Sequence, residues 1–251
     1  MPFCGATFDE NSVPHLDKEG LQGGSTRRQT HPGAARPPSL QRHPSDEGEG
    51  RGSMNALILV DIQNDFLPGG ALAVPHGDAV ISVANEQQSH FDLVVATQDW
   101  HPPDHQSFAA NHAGKRIGDL VQVNGVPQIL WPVHCVQQTP GADFAPFLKK
   151  DRWARIFRKG VDREIDSYSG FFDNGRVKDT GLAGYLRQQG VDSVFVLGLA
   201  TDYCVKSTAL DAVSLGFRTQ LILDGCRGVN LEPNDTQRAV EAMKAAGVIV
   251  M

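Results

Sequence analysis

Residues 193–205 read SVFVLGLATDYCV, and the rest of the chain is best understood from this stretch. The run at 193–199 is apolar and rich in β-branched residues, which is typical of a buried parallel strand. Thr201 and Asp202 then offer side-chain oxygens that can cap a helix, and the residues after them repeat with helical spacing. Cys204 is therefore predicted in the first turn of a helix, directly after the carboxyl end of a strand.

Cys204 has two interpretations in this position. Unpaired backbone N–H groups and the helix dipole favour a thiolate at a helix N-terminus, which would make this residue a nucleophile. A free cysteine is, however, more often an inert apolar residue of the core. The stretch by itself leaves both interpretations open, so the choice depends on residues elsewhere in the chain.

The composition of the 251-residue chain is ordinary for a globular protein, with 40% hydrophobic and 21% charged residues. Its net charge of −6 argues against nucleic acid or an anionic membrane as a partner, because both require a basic surface. No apolar run approaches the ~20 residues of a membrane span. The four cysteines include no CxxC pair, which favours a reducing compartment. We expect a soluble, cytoplasmic protein.

Residues 1–53 differ in kind from the rest of the chain. They are rich in Gly, Pro, Ser and charged residues and show no apolar periodicity, so they cannot bury enough surface to fold. They also lack the apolar core of a secretory signal. The sequence therefore predicts a disordered extension over 1–53 and one folded domain over 54–251.

Apolar runs alternate with helical patterns throughout this domain. The predicted strands cover 56–61, 92–99, 155–160, 193–199, 218–224 and 248–251, and the predicted helices cover 77–90, 141–148, 180–190, 201–216 and 234–247. Such alternation implies right-handed βαβ crossovers. The predicted fold is a three-layer αβα domain of the α/β class, with a mainly parallel sheet of about six strands. The fifty-residue connection after the second strand is too long for a plain crossover, so we expect it to be functional.

Three reactive side chains occupy equivalent places in this pattern. Asp61 ends the first strand, Lys159 ends the third, and Cys204 follows the fourth. The carboxyl ends of parallel strands lie along one edge of the sheet, where open α/β folds bind their ligands. A carboxylate, an ammonium and a thiol at that edge could form an activated nucleophile with its base. For either residue alone the simpler interpretation is favoured, with Asp61 as a turn residue and Lys159 as a solvated charge.

A second group of polar residues follows the second predicted strand. Asp99, His101 and His105 lie close together in sequence, and His134 follows within WPVHC. Mixed oxygen and nitrogen ligands suit Zn²⁺, Fe²⁺ or Mn²⁺. Histidine is also frequent in loops that bind no metal. A site for one divalent cation is therefore a hypothesis that this spacing suggests.

A third group is apolar and aromatic. Phe66, Leu72, Trp131 and Tyr203 surround the polar groups in the sequence, and flat side chains would suit a planar ring as substrate. Each of them is more often simply part of a core. No phosphate-binding GxGxxG or GxxxxGK[ST] loop is present.

Taken together, six segments resemble the nicotinamidase/pyrazinamidase family of the isochorismatase-like hydrolases. They are VDIQNDFLPGG, QDWHPPDHQSF, WPVHCVQ, FRKG, DSYSGF and GLATDYCV. They occur in the family's order, and the resemblance extends over 55–251. It implies a metal-dependent amidase that converts nicotinamide and pyrazinamide to the acid and ammonia in NAD salvage, as a monomer or homo-oligomer. The alternatives are an isochorismatase-like hydrolase acting on a ureido or carbamoyl amide or on isochorismate, and a non-catalytic binding module.

The resemblance also assigns roles to individual residues. The implied catalytic residues are Asp61, Lys159 and Cys204; the implied metal ligands are Asp99, His101 and His134, with His105 a fourth ligand in some members; the implied ring pocket is Phe66, Leu72, Trp131 and Tyr203. Some relatives carry His in place of Tyr203. The family further has a cis peptide bond, here Leu199–Ala200, that turns the backbone N–H groups of Ala200 and Cys204 toward an oxyanion.

Overall fold

The computed structural model describes residues 54–251. The prediction that 1–53 is a disordered extension lies outside the described residues. None of the helices in the described part of the chain has the length and hydropathy that a membrane crossing requires.

The main sheet has six strands, all paired in parallel. The strands of the domain are β1 (Met54–Val60), β2 (Leu93–Asp99), β3 (Leu120–Val123), β4 (Val126–Ile129), β5 (Trp153–Lys159), β6 (Val191–Leu199), β7 (Arg218–Arg227) and β8 (Ile249–Val250). The order in the main sheet is β5-β2-β1-β6-β7-β8, and β3 pairs with β4 in a separate antiparallel hairpin. Every residue of β2 is buried, as expected of a parallel strand covered on both faces.

Four α-helices flank the main sheet. They are α1 (Val80–Gln87), α2 (Leu182–Gln188), α3 (Lys206–Ser214) and α4 (Asp235–Ala245). Helix α1 packs against β6 and β7, and α3 packs against the same two strands. In α1 the buried residues Val80 and Ala84 are four positions apart, so one helical face is directed toward the sheet. The predicted α/β fold with helices on the sheet is therefore confirmed.

One predicted helix was wrong, and one hairpin was missed. The predicted helix at 141–148 is only a 3₁₀ turn, Pro140–Ala142. Pro146 explains this, because it has no N–H to donate within a helix and its ring clashes with the preceding turn. The β3–β4 hairpin was not predicted at all. Its turn is Asn124-Gly125, with φ of 51° and 79°, the positive values that a two-residue hairpin turn requires.

The strand order brings four carboxyl ends together at one edge of the sheet. In the register of β2 and β5, Asp99 is paired with Lys159. In the register of β1 and β6, Val60 is paired with Gly198. A Cβ atom on Gly198 would lie 2.1 Å from the carbonyl oxygen of Val60, so glycine is needed for β1 and β6 to approach this closely. Asp61, Asp99, Lys159 and Cys204 all lie at or just after these carboxyl ends.

Candidate active site

Lys159 stands at the centre of the site, and its side chain is fully buried. Its Nζ lies 2.9 Å from Oδ2 of Asp61 and 2.5 Å from Oδ1 of Asp99. It also donates hydrogen bonds to Sγ of Cys204 at 3.3 Å and to the carbonyl oxygen of Ser167 at 2.8 Å. Lys159 thus contacts both of the other predicted reactive side chains, Asp61 and Cys204. It also contacts Asp99, which was predicted as a metal ligand.

Asp61 lies directly after β1 and has no exposed surface. Thr97 of β2 donates a hydrogen bond to Oδ1 of Asp61 at 2.7 Å. Burial raises the pKa of Asp61 to about 6, against the opposing effect of the Lys159 charge and the Thr97 hydrogen bond. A carboxylate with this pKa accepts a proton more readily than an exposed one, and the carboxylate and the sulfur of Cys204 lie within 4.8 Å of each other.

Cys204 lies in a π-helical turn, Thr201–Val205, that precedes α3. Ala200 is the N-cap residue, and no side chain caps the turn, so the predicted capping roles of Thr201 and Asp202 were wrong. Asp202 instead accepts hydrogen bonds from two backbone N–H groups of the loop at 229–230. The Leu199–Ala200 bond is cis, as the resemblance implied.

The thiol of Cys204 is not activated by its position alone. Burial raises its pKa well above the usual value, and the Lys159 charge opposes this effect without cancelling it. The raised pKa differs from the lowered pKa expected of a thiol at a helix N-terminus. A neighbouring base is needed, and Asp61 is in place to act as one.

Asp99, His101 and His134 form a cluster with ligand atoms within 4.8 Å of one another. Oδ2 of Asp99 lies 3.6 Å from Nε2 of His101 and 3.9 Å from Nε2 of His134. The Nδ1 atoms of the two imidazoles lie 2.8 Å from the carbonyl oxygens of Gly160 and Pro132. Such contacts place the proton on Nδ1 and direct the Nε2 lone pair inward, as in metal-binding histidines.

His105 belongs to an adjacent cluster with His101 and Asp166. Its Nδ1 lies 2.7 Å from Oγ of Ser107, and its Nε2 is buried without a hydrogen-bond partner among residues 54–251. Nε2 of His101 also has no hydrogen-bond partner in this part of the chain. Two orphaned ring nitrogens facing carboxylates fit a bound divalent cation, since an unpaired buried polar atom is otherwise costly.

The ionisation of three of these groups agrees with a ligand role. His101 is the exception, because burial would lower its pKa but the Asp99 charge and hydrogen bond outweigh burial and raise it. Burial, together with the neighbouring His101, lowers the pKa of His134 to about 4. Burial likewise lowers the pKa of His105. Burial would raise the pKa of Asp99, but the nearby Lys159 and His101 charges outweigh it and hold that pKa below its usual range. Neutral imidazoles beside an ionised carboxylate are the forms that bind metals.

A cavity opens beside Cys204 and contains about 360 Å³ of space between protein atoms, including solvent at its mouth. The predicted pocket residues line it, together with residues of both polar groups; the full lining is Phe66, Leu72, Asp99, Trp131, His134, Asp166, Tyr168, Ala200, Tyr203, Cys204 and Val229. The rings of Trp131 and Tyr203 meet edge to face, with centroids 4.8 Å apart. The four side chains predicted to surround a planar ring therefore do share one cavity.

Three lining residues were not predicted: Asp166, Tyr168 and Val229. Asp166 and Tyr168 lie in the loop after β5, at the same sheet edge as Lys159, and Tyr168 falls within the DSYSGF segment. The location of Asp166 and Tyr168 at this sheet edge, within a segment that resembles the family, could have identified both residues from the sequence. Val229 had no such signal, because its loop is hydrogen-bonded to Asp202, which lies 27 and 28 positions earlier in the chain.

Residues 55–251 match the family model of the isochorismatase domain. The chain belongs to the isochorismatase family. Within this family it groups with the nicotinamidases and pyrazinamidases. It is 51% identical over 196 residues to the nicotinamidase of Escherichia coli (strain K12), and the alignment covers 76% of this chain and 92% of the relative.

Two solved structures are similar to this chain in both sequence and fold. PnC1 from L. infantum in complex with nicotinate is 38% identical, with a TM-score of 0.69, over 79% of this chain and 92% of that one. The pyrazinamidase of Pyrococcus horikoshii in complex with zinc is 41% identical, with a TM-score of 0.64, over 78% of this chain and 98% of that one.

Proposed function

We propose that the protein is a metal-dependent nicotinamidase, which hydrolyses nicotinamide and pyrazinamide to the carboxylic acid and ammonia. The observation that carries this proposal is the position of Lys159 Nζ, in contact with Asp61, Asp99 and Cys204 beside an aromatic cavity. The nicotinamidase of E. coli, at 51% identity, supports the choice of substrate. Nicotinic acid formed in this way would serve NAD salvage.

The nucleophile is generated by proton transfer from Cys204 to Asp61. The raised pKa of Asp61, which burial causes, makes its carboxylate a suitable acceptor for this proton. Lys159 stays charged, because Asp61 and Asp99 raise its pKa although burial opposes them. Its ammonium stabilises the new thiolate at the 3.3 Å contact with Sγ. The thiolate then attacks the carboxamide carbon and forms the new carbon–sulfur bond.

The tetrahedral intermediate carries its negative charge on the former carbonyl oxygen. The backbone N–H groups of Ala200 and Cys204 are the proposed donors to this oxyanion, and losing one such donor typically costs about 10²–10³ in rate. The carbon–nitrogen bond breaks as Asp61 returns its proton to the leaving nitrogen, so ammonia departs. Asp61 then takes a proton from water, and the hydroxide attacks the thioester carbon. The carbon–sulfur bond breaks, the carboxylic acid is released, and Asp61 returns the proton to Sγ to regenerate the Cys204 thiol.

Asp99, His101 and His134 are the proposed holders of one divalent cation, Zn²⁺, Fe²⁺ or Mn²⁺, with His105 as a further ligand. When bound there, a cation would supply Lewis-acid chemistry that could help position the substrate ring. Asp99 contacts both His101 and Lys159. The substrate ring and the Cys204 nucleophile would therefore be held at fixed positions relative to each other. The zinc complex of the P. horikoshii pyrazinamidase supports the presence of a metal.

The aromatic walls of the cavity orient the ring. Phe66 and Leu72 come from the segment after β1, while Trp131 follows the hairpin and Tyr203 precedes the nucleophile. Flat apolar surfaces bind a planar heterocycle, and the polar groups at the cavity floor select for the carboxamide. The nicotinate complex of the L. infantum protein supports a small pyridine carboxylate as product.

The test is ammonia release from nicotinamide, with and without a chelator. We expect turnover of nicotinamide and pyrazinamide, its loss after chelation and its recovery on addition of a divalent ion. A ureido compound, a carbamoyl amide and isochorismate serve as competing substrates in parallel assays. Faster turnover of any of these than of nicotinamide would overturn the proposal.

A further inference from the structure

The β3–β4 hairpin contains a buried polar side chain whose role the reaction described above leaves open. Gln128 of β4 is only 4% exposed, whereas Gln122 of β3, in the same hairpin, is exposed. Burying a side-chain amide is unfavourable unless it forms hydrogen bonds. The hydrogen-bond partners of Gln128 therefore indicate what the hairpin contributes.

The two N–H groups of Gln128 Nε2 are shared among three acceptors. It lies 3.2 Å from Oδ2 of Asp166, 3.3 Å from Oη of Tyr168 and 2.7 Å from the carbonyl oxygen of Ile129. Asp166 and Tyr168 both line the cavity beside Cys204, and Gln128 does not. The amide thus fastens the hairpin to the outer side of the cavity wall.

The hydroxyl of Tyr168 accepts a second hydrogen bond, from Nε1 of Trp131 at 3.1 Å. Two N–H donors fill its acceptor capacity, so its own O–H hydrogen is left to donate. Tyr168 lines the cavity, and its ring packs against Tyr203 with centroids 5.5 Å apart. The Gln128 contact therefore helps to fix the position of this ring, and it leaves the Tyr168 hydroxyl to act as a hydrogen-bond donor.

We propose that Gln128 is a positioning residue for the amidase reaction. Its amide holds Tyr168 and Asp166 in the cavity wall, and through them it orients the substrate ring. The inference rests on the proposed function. Gln128 acts on substrate binding and leaves the Cys204–Asp61–Lys159 chemistry unchanged, because none of those three residues contacts its amide within the described part of the chain.

The test is steady-state ammonia release from nicotinamide by the full-length, metal-loaded protein. Gln128→Leu should raise KM about tenfold, the effect of losing one buried hydrogen bond, and should leave kcat within about twofold. Gln122→Leu, the matched control on the exposed side of the same hairpin, should leave both constants unchanged. A Gln128→Leu variant with unchanged KM, or with kcat reduced as strongly as KM is raised, would overturn the inference.

A double-mutant cycle tests whether Gln128 acts through the Tyr168 hydroxyl. In a Tyr168→Phe background, Gln128→Leu should raise KM by clearly less than tenfold, because only the Asp166 contact remains to be lost. A full tenfold effect in that background contradicts the proposed route. Gln128→Met provides a second substitution, and failure of both variants to fold would make Gln128 a structural residue and overturn the inference.

The two proposals fail in different ways. If the wild-type protein releases no ammonia from nicotinamide, the proposed function is wrong and this inference falls with it. If the wild type is active and the Gln128 and Gln122 variants behave alike, only the role of Gln128 is wrong.

Discussion

The ammonium of Lys159 lies 2.5 Å from Oδ1 of Asp99, and the other oxygen of that carboxylate faces His101 and His134. A single carboxylate thus joins the lysine of the nucleophile site to the imidazoles of the proposed metal site. Asp99 and Lys159 are also paired in the register of β2 and β5, so the sheet itself holds the contact. Changes at either site should therefore affect the other.

Removing the lysine charge should destabilise the fold as well as abolish turnover. Lys159→Met leaves Asp61 and Asp99 buried without their counter-ion, and breaking a buried pair in this way costs about 3–5 kcal/mol. For a domain of this size the melting temperature should fall by roughly 10 °C. Thermal unfolding followed by circular dichroism measures the change. Lys178→Met, at an exposed ion pair, is the control and should melt like the wild type.

Loss of the sulfur should remove activity and leave the fold in place. Cys204→Ala should lower kcat by a factor on the order of 10⁴ or more, since no other nucleophile replaces the thiol. Ammonia release and a thermal melt are measured on the same preparation. Cys226→Ala is the matched control, because Cys226 is also buried and free but lies outside the cavity. Substantial amidase activity of Cys204→Ala would rule out the nucleophile assignment.

Removing one imidazole should release the proposed metal. His101→Ala takes away a nitrogen that faces Asp99, and we expect loss of bound divalent ion together with a raised KM for nicotinamide. Atomic emission measurements on the purified protein give the metal content. His90→Ala, at an exposed histidine, should retain the ion. Equal metal content in the two variants would dismiss the ligand assignment.

The pH profile should report the ionisation of Asp61. Burial raises the pKa of this carboxyl group to about 6, and only its deprotonated form can accept the thiol proton. The value of kcat/KM should therefore fall about tenfold for each pH unit below about 6. Thr97→Val removes a hydrogen bond that lowers this pKa, so the acid limb of the profile should move to higher pH. A limb that stays in place would contradict the role of Asp61 as the base.

Deletion of residues 1–53 should leave turnover unchanged. The catalytic cluster, the proposed metal ligands and the cavity are all formed by residues within 54–251. Comparing kcat and KM of the truncated and full-length proteins provides the measurement. A large loss of activity after truncation would show that the extension contributes to the enzyme.

Much of the site could be predicted because its residues follow local patterns. The apolar runs before Asp61, Asp99 and Cys204 identify strands from a few neighbouring residues, and parallel strands place their carboxyl ends at one edge. The hairpin turn at Asn124-Gly125 carried an equally local signal, so it too was available from the sequence.

Other features depend on contacts between distant segments. The hydrogen bonds of Gln128 to Asp166 and Tyr168 span 38 and 40 positions, and no periodicity encodes such contacts. The pKa shifts of Asp61 and Cys204 arise from burial, which follows from the packing of the whole domain.

The amino-acid sequence by itself determined the α/β class, the parallel strands and the set of candidate reactive side chains, since these depend on the spacing of residues along a few turns or strands. Only the tertiary structure decided that Lys159 bridges Asp61, Asp99 and Cys204, and that a buried glutamine of the hairpin supports the cavity wall. The reason is physical. Short-range spacing selects the secondary structure, whereas distances of 3 Å between side chains and the loss of water around them are set by the pairing and packing of segments far apart in the chain.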